Sequence, residues 1–252
     1  MTRLDSFIAF VKRNFPDDRL TYQKGIATFH PENTGEAAAI IRMANESGQE
    51  LFVTGFGNHI DPIGSKFEQL VTLRSDRLNK LINVVPEDFY VDVGAGYPLR
   101  ELNLELIEQG LFLPHADLPY VGSIAGAIAV GMTAQRQNKE IPLSKFLIRA
   151  EIANPLGDIL RPGSACFKSV SGLDIVKIYS SSWGLLGMIV SVTLRILPLS
   201  LKADFEELVL KAVDLKKFCN LYLHPASSIS ANYSHQIKRN FDPNNIFPLI
   251  AS

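Results

Sequence analysis

Cysteine is scarce in this chain: Cys166 and Cys219 are the only two in 252 residues. Neither has metal-ligand spacing and two thiols do not suggest a disulfide framework, so a reducing cytoplasm is the expected setting. A surplus of one charge is also missing. With 25 Lys and Arg against 26 Asp and Glu, the formal net charge is −1, and nothing points to nucleic acid. Long apolar runs are lacking too. The longest, around residues 124–132 and 185–192, fall well short of the roughly 18 residues a bilayer span needs, so a soluble protein is expected. At the N-terminus, Phe7-Ile8-Ala9-Phe10-Val11 is too short, and too closely bracketed by Asp5, Lys12 and Arg13, to read as a secretory signal. Internal repeats and low-complexity tracts are absent. What remains is a chain with 46% apolar residues, able to bury a full core in one large or two small domains.

Glycine carries the information. Three short stretches punctuate the chain: Thr54-Gly55-Phe56-Gly57-Asn58, Gly122-Ser123-Ile124-Ala125-Gly126 and Gly184-Leu185-Leu186-Gly187. Each follows or opens an apolar segment, so each can bring bare backbone N–H groups up to a ligand where a side chain would block the approach. Their order suggests one bound phosphate-bearing cofactor. Taken singly, Gly55-Phe56-Gly57 and Gly94-Ala95-Gly96 read equally well as punctuation between a strand and a turn.

The coarse pattern alternates helix and strand. Leu4, Phe7, Ile8 and Val11 recur at helical spacing, and Pro31 to Asn33 lead into an Ala-rich amphipathic helix from Thr34 that Gly48 stops. A buried strand, Leu51-Phe52-Val53, runs directly into Thr54-Gly55. Phe89-Tyr90-Val91-Asp92-Val93 reads as a strand ended by Gly94, and Pro98 opens a helix through Gln109 that Gly110 caps. The turn Asn154-Pro155-Leu156-Gly157-Asp158 joins a predicted hairpin. From Met188 to Leu197, Val190, Val192, Leu194 and Ile196 alternate with Ser191, Thr193 and Arg195, the pattern of a half-buried strand. A Rossmann fingerprint fails: Gly55-Phe56-Gly57-Asn58-His59-Ile60 lacks the third glycine, and Pro62 and Gly64 interrupt the segment after it.

Taken together these residues resemble the FAD-binding domain shared by vanillyl-alcohol oxidase, p-cresol methylhydroxylase and the FAD-linked oxidases, among them glycolate oxidase E-type subunits and D-lactate dehydrogenases. The stretch from Phe29-His30-Pro31 through Thr54-Gly55-Phe56-Gly57-Asn58 resembles that family's opening Pro, helix, strand and Gly-rich pyrophosphate loop. Pro119-Tyr120-Val121-Gly122-Ser123-Ile124-Ala125-Gly126 is similar to its second phosphate-contacting segment. Lys168-Ser169-Val170-Ser171-Gly172-Leu173-Asp174 and Ser182-Trp183-Gly184-Leu185-Leu186-Gly187 resemble its K-x-x-x-G-x-D-L block and the Gly turn after it. Near the C-terminus, Lys238-Arg239-Asn240-Phe241-Asp242-Pro243 resembles its Lys and Phe-Asp-Pro motif. Departures accompany the matches: Phe56 interrupts the first loop, Ala125 replaces a glycine of the second, and Ser181 and Leu185 replace Gly and Thr of the third.

The resemblance implies an α+β fold of two subdomains, about residues 20–95 and 96–198, with FAD lying between them and held non-covalently. Thr54, Gly55, Phe56, Gly57 and Asn58 would wrap the pyrophosphate from one side, with His59, and Gly122, Ser123, Ala125 and Gly126, with Pro119, from the other. Gly184, Gly187 and Ile189 would lie near adenine and ribose, and Lys168 is either flavin-proximal or a solvated surface lysine. His59 stands one position beyond the histidine that tethers flavin in some members. His115 reads as an ordinary loop residue, Cys166 as a small buried apolar one, Asp174 as paired locally on its helix and Trp183 as packing. Complete members carry a substrate cap after the equivalent of Pro198; here residues 199–236 leave room for a strand at 208–210 and a helix or two through 215–223, without a His-x-His pair or a carboxylate cluster. No residue is nominated as catalytic and no metal is expected. Two functions are implied: an FAD-dependent oxidoreductase acting like a flavin subunit of a 2-hydroxy-acid dehydrogenase, with a partner subunit or a second copy over the flavin face, or an accessory subunit, flavin-binding or flavin-free, that docks a partner.

Overall fold

The computed structural model describes residues 2–60, 62–164, 175–213 and 229–250. Its first helix, α1 (Arg3–Asn14), starts at a reciprocal cap in which the Thr2 side chain accepts from the Asp5 amide and Asp5 accepts from the Thr2 amide. Phe7 and Val11 are its buried face. A hairpin comes next, β1 (Leu20–Gln23) and β2 (Ile26–Phe29), turning on Lys24 and Gly25, both at positive φ as a two-residue turn with the twist of its strands requires. Helix α2 (Thr34–Ser47) is capped by the Asn33 side chain on the Glu36 amide and ends at Gly48 in the left-handed conformation, as its sequence predicts. It delivers the chain to β3 (Leu51–Thr54), and β4 (Val71–Arg74) then inserts between β2 and β3, parallel to both.

A second, antiparallel sheet is built from residues far apart in the chain. Its order is β11 (Ile159–Leu160), β10 (Leu147–Ala153), β12 (Met188–Arg195), β6 (Tyr90–Gly94) and β5 (Leu81–Val85). The hairpin β10–β11 turns where Asn154 to Asp158 predict it. Strand β12 differs from its half-buried expectation: Val190, Val192, Thr193 and Leu194 are all buried, because β12 is the central strand and both α2 and α4 (Ile124–Ala129) pack on it. Strand β6 pairs with β12 and β5 and not with the parallel strands that precede it. Pro98 opens a shorter element than expected, a 3-10 turn over Leu99–Glu101 continuing as α3 (Leu102–Ile107), with Gly110 at positive φ beyond it.

Smaller pieces finish the molecule: β7 (Leu111–Phe112) pairs with β13 (Leu197–Pro198), and β8 (Thr133–Arg136) lies between β9 (Lys139–Pro142) and β14 (Val209–Lys211). Helix α5 (Ile229–Phe241) leads into a C-terminal segment whose Ile246 carbonyl accepts from the Leu51 amide, 2.7 Å. There Asp242, 3% exposed, accepts from Lys238 Nζ at 2.5 Å and from the amides of Ile246 and Phe247 at 2.8 Å. One apolar core runs from α1 and α2 through both main sheets to Ile246 and Phe247, so α2 is shared by the two halves of this α+β fold. Among the described residues no helix is long and apolar enough to cross a membrane. The expected features at Cys166, Asp174, Cys219 and residues 215–223 lie outside the described residues.

Candidate functional site

Strand β3 ends at Thr54, and the chain turns through Gly55 to His59 without donating a backbone hydrogen bond to any carbonyl among the described residues. Its amides are thus available to a ligand. The loop is held from outside: the Arg74 guanidinium donates to the Phe56 carbonyl at 3.3 Å and to Gln23 Oε1 at 3.1 Å, while the Ser75 amide donates to the Thr54 carbonyl at 3.1 Å.

The second loop is braced by the turn after β6. Leu99 N–H donates to Gly122 O, Ile124 N–H to Tyr97 O and Ala125 N–H to Ala95 O, all near 3.0 Å. Ser123 caps α4, its hydroxyl accepting from the Gly126 amide at 3.1 Å. A Cβ on Gly55 would stand 2.5 Å from that hydroxyl, so the two loops touch where any side chain at 55 would force Ser123 to move. The third turn is pinned to α4 by Ser181 N–H to Ile128 O, 3.1 Å, and Trp183 N–H to Ala129 O, 3.0 Å. Gly184, at φ +77°, lies against β3, where a Cβ would meet that of Val53 at 3.0 Å. The first stretch thus touches the second directly, and the third is held against α4 after the second and β3 before the first.

Between them lies a cleft of about 750 Å³, counting space open to solvent. It is lined by Thr54, Gly55, Phe56, Gly57, Asn58 and His59 from the first stretch, by Gly122, Ser123, Ala125 and Gly126 from the second, and by Gly184, Gly187 and Ile189 from the third. Of the remaining candidates, Pro119 does not line it; the chain there presents Tyr120 instead. Lys168 lies outside the described residues. His115 is fully buried elsewhere, its Nε2–H donating to Ile141 O at 2.8 Å. Burial holds its imidazole down to about 4, against a small opposing effect of that hydrogen bond.

Sequence reasoning missed Ser75, Tyr120, Ser182 and Trp183, which also line the cleft. Ser75 follows β4, a four-residue strand without a glycine to mark it. The Trp183 ring packs edge-on to His59 with centroids 6.3 Å apart, and Tyr120 stacks on His59 at 6.0 Å and 27°. Among the described residues no Asp, Glu, Lys or Arg lines the cleft. Desolvation lowers the pKa of His59 and raises that of Tyr120 to about 12, so both are uncharged near neutral pH. An anion here would be met by main-chain amides and not by cationic side chains. Two side-chain atoms in the lining, His59 Nε2 and Ser75 Oγ, are buried without a hydrogen-bond partner among the described residues. Among the described residues no cluster of His, Cys, Asp and Glu could hold a metal.

Free amides from two bends, an apolar aromatic wall and isolated polar atoms are what an uncharged cleft needs to hold a dinucleotide cofactor with an aromatic ring. Fold and site thus define a cofactor-binding α+β protein that is not doubly wound. A family model described as FAD binding domain matches residues 26–163, which include the first two glycine stretches. The chain belongs to this FAD binding domain family, and FAD is its cofactor. Similar proteins include a D-lactate dehydrogenase of Anaerostipes hadrus, 25% identical over 168 residues, covering 66% of this chain and 35% of that protein. Glycolate oxidase subunit GlcD of Bacillus subtilis is 23% identical, covering 68% of this chain and 37% of its own, and subunit GlcE of Escherichia coli is 26% identical, covering 47% and 34%. The chain spans about a third of the length of these relatives. An alkyldihydroxyacetonephosphate synthase structure superposes with a TM-score of 0.63 at 17% identity over 77% of this chain and 40% of that one, a likeness of fold.

Proposed function

We propose that this chain is the FAD-holding unit of an oxidoreductase that takes electrons from a small 2-hydroxy acid of the glycolate or lactate kind, working in the cytoplasm. The observation that carries this reading is the closure of three separate glycine stretches around one uncharged cleft. In it the amides of residues 55–59, with those of Gly122 and Ser123, compensate the diphosphate, and Ala125 and Gly126 let it approach the start of α4. Gly184, Gly187 and Ile189 bound the adenosine end. His59, neutral and with a free Nε2, hydrogen-bonds the cofactor without a covalent link. FAD, when bound, supplies the redox chemistry, and the protein supplies orientation and a dry, apolar surround. Residues 1–198 form the cofactor unit, with subdomains about 20–95 and 96–198, and residues 199–252 stand where relatives place a cap.

Support for the substrate class comes from the relatives' names, D-lactate dehydrogenase and glycolate oxidase subunits. With a relative named as a subunit, this reading includes a partner subunit, or a second copy, over the open side of the site. The test is an absorbance spectrum of the purified protein before and after FAD is supplied and the excess removed, followed by anaerobic addition of glycolate or D-lactate. Flavin bands that bleach with a hydroxy acid support the proposal. A yellow protein indifferent to both acids refutes the substrate class, and a colourless protein that rejects FAD refutes the whole reading in favour of a flavin-free docking subunit.

A further inference from the structure

We propose that the Ser75 hydroxyl is a hydrogen-bonding contact for the cofactor, made from a strand end that no glycine motif marks. The inference rests on the cleft being the FAD site. Ser75 is 3% exposed, lines the cleft, and its Oγ has no hydrogen-bond partner among the described residues. Thr72 Oγ1 and His115 Nδ1 share that condition, and neither residue lines the cleft.

Local structure keeps Ser75 from satisfying itself by moving. Its amide is spent on the Thr54 carbonyl, and its own carbonyl accepts from the Leu78 amide at 2.9 Å. Behind that carbonyl stands Gly96, so close that a Cβ there would lie 1.9 Å from it. The neighbours on either side are committed elsewhere: Arg74 to the Phe56 carbonyl of the first loop, and Asp76 to His30 Nδ1 at 2.7 Å. The Ser75 backbone is therefore fixed beside the first loop, at the carboxyl end of a strand flanked on both sides by parallel partners, and its hydroxyl moves only by rotation about Cα–Cβ. Ligands of sheets with parallel strands gather at that end. A buried hydroxyl with nothing to bond is a standing cost in the empty protein, and an acceptor atom of the cofactor removes it.

This predicts opposite signs for one substitution. Ser75→Ala removes the unmet group, so the cofactor-free protein keeps or gains thermal stability, while affinity for FAD falls about 5- to 10-fold, the worth of one net hydrogen bond. Thr72→Val, which deletes the equivalent orphan outside the cleft, leaves FAD affinity unchanged. Both are measured by titrating FAD into cofactor-stripped full-length protein, following flavin fluorescence, with thermal unfolding of each stripped sample alongside. Wild-type protein that binds FAD while Ser75→Ala binds it equally well overturns the contact alone. So does a stripped Ser75→Ala that melts well below wild type, since that hydroxyl would then have a protein partner. Wild-type protein that binds no FAD overturns the contact and the proposed function together.

Discussion

Replacing Gly55 with alanine probes the junction on which the cleft depends. The backbone at Gly55 lies outside the left-handed region, so alanine is conformationally allowed and space decides the outcome. Its Cβ would stand 2.5 Å from Ser123 Oγ, nearer than such atoms approach, with Gly126 Cα and Ser123 Cβ at 3.7 Å. Ser123 must rotate, giving up its bond to the Gly126 amide. A lost N-cap costs about 1 kcal/mol, and an off-rotamer side chain about 1 kcal/mol more. The stiffer unfolded chain returns about 0.5 kcal/mol, leaving a net loss near 1.5 kcal/mol, or about 3–6 °C in melting temperature. Ser123→Ala alone loses only the cap, about 1 kcal/mol, and clears the space. The double variant Gly55→Ala/Ser123→Ala should then be more stable than Gly55→Ala, losing about 0.5 kcal/mol, because the clash no longer exists. Thermal unfolding of the four cofactor-free proteins measures this. A double variant whose loss equals the sum of the two single losses would refute the contact between the loops.

Gly57→Asp should keep the fold, since the space around that position is open and aspartate tolerates its φ of +81° better than most residues, yet weaken FAD binding about 100-fold. A carboxylate about 4 Å from a phosphate charge, at an effective dielectric near 20, is worth about 4 kcal/mol before screening; undiminished FAD retention would mean that the first loop does not hold the diphosphate. His115, with its folded-state pKa depressed to about 4, contributes nothing above the ordinary histidine value, where both states are neutral. As pH falls from about 6.5 towards 4 the unfolded chain takes up the proton first, so stability drops by about 3 kcal/mol over that window. In His115→Leu the fall in melting temperature between pH 7 and pH 4.5 should be visibly shallower; an unchanged slope counts against the buried neutral imidazole. Asp242→Asn leaves Lys238, 4% exposed, without its counter-charge, at a cost of about 3–5 kcal/mol at pH 7. Since burial already lowers the pKa of Lys238 against the pull of Asp242, folded protein holds that proton less tightly than unfolded, and the deficit should shrink as pH rises towards 10. Melting curves at pH 7 and 9.5 decide it, and a variant as stable as wild type at pH 7 refutes the pairing.

Much of the local structure is legible in the sequence. Asn33 and Gly48 bracket α2, Asn154 to Asp158 turn the β10–β11 hairpin, and β3 runs straight into Gly55, because caps, turns and strand ends act over four or five residues. The order of the glycine stretches also suffices to suggest one phosphate-bearing ligand. The strand from Met188 can be seen in the sequence, but the alternation in β12 is misleading: this strand is central to its sheet with helices packed on it, and Thr193 is buried with its valine neighbours. Ser75 and Trp183 escape for a different reason. Ser75 sits in no pattern, Trp183 sits in the third glycine segment as a non-glycine residue, and each joins the cleft through a partner distant in sequence, Thr54 for one and Ala129 for the other.

The amino-acid order by itself determined where the backbone would be bare and where α2 starts and stops. Only the tertiary structure decided that Gly55 meets Ser123, that Gly184 meets Val53, and that a serine between Arg74 and Asp76 lines the same cleft with a hydroxyl unanswered among the described residues. Propensities and caps are properties of short windows, whereas contacts between residues 55 and 123, or 53 and 184, exist only once strand pairing has brought distant segments together.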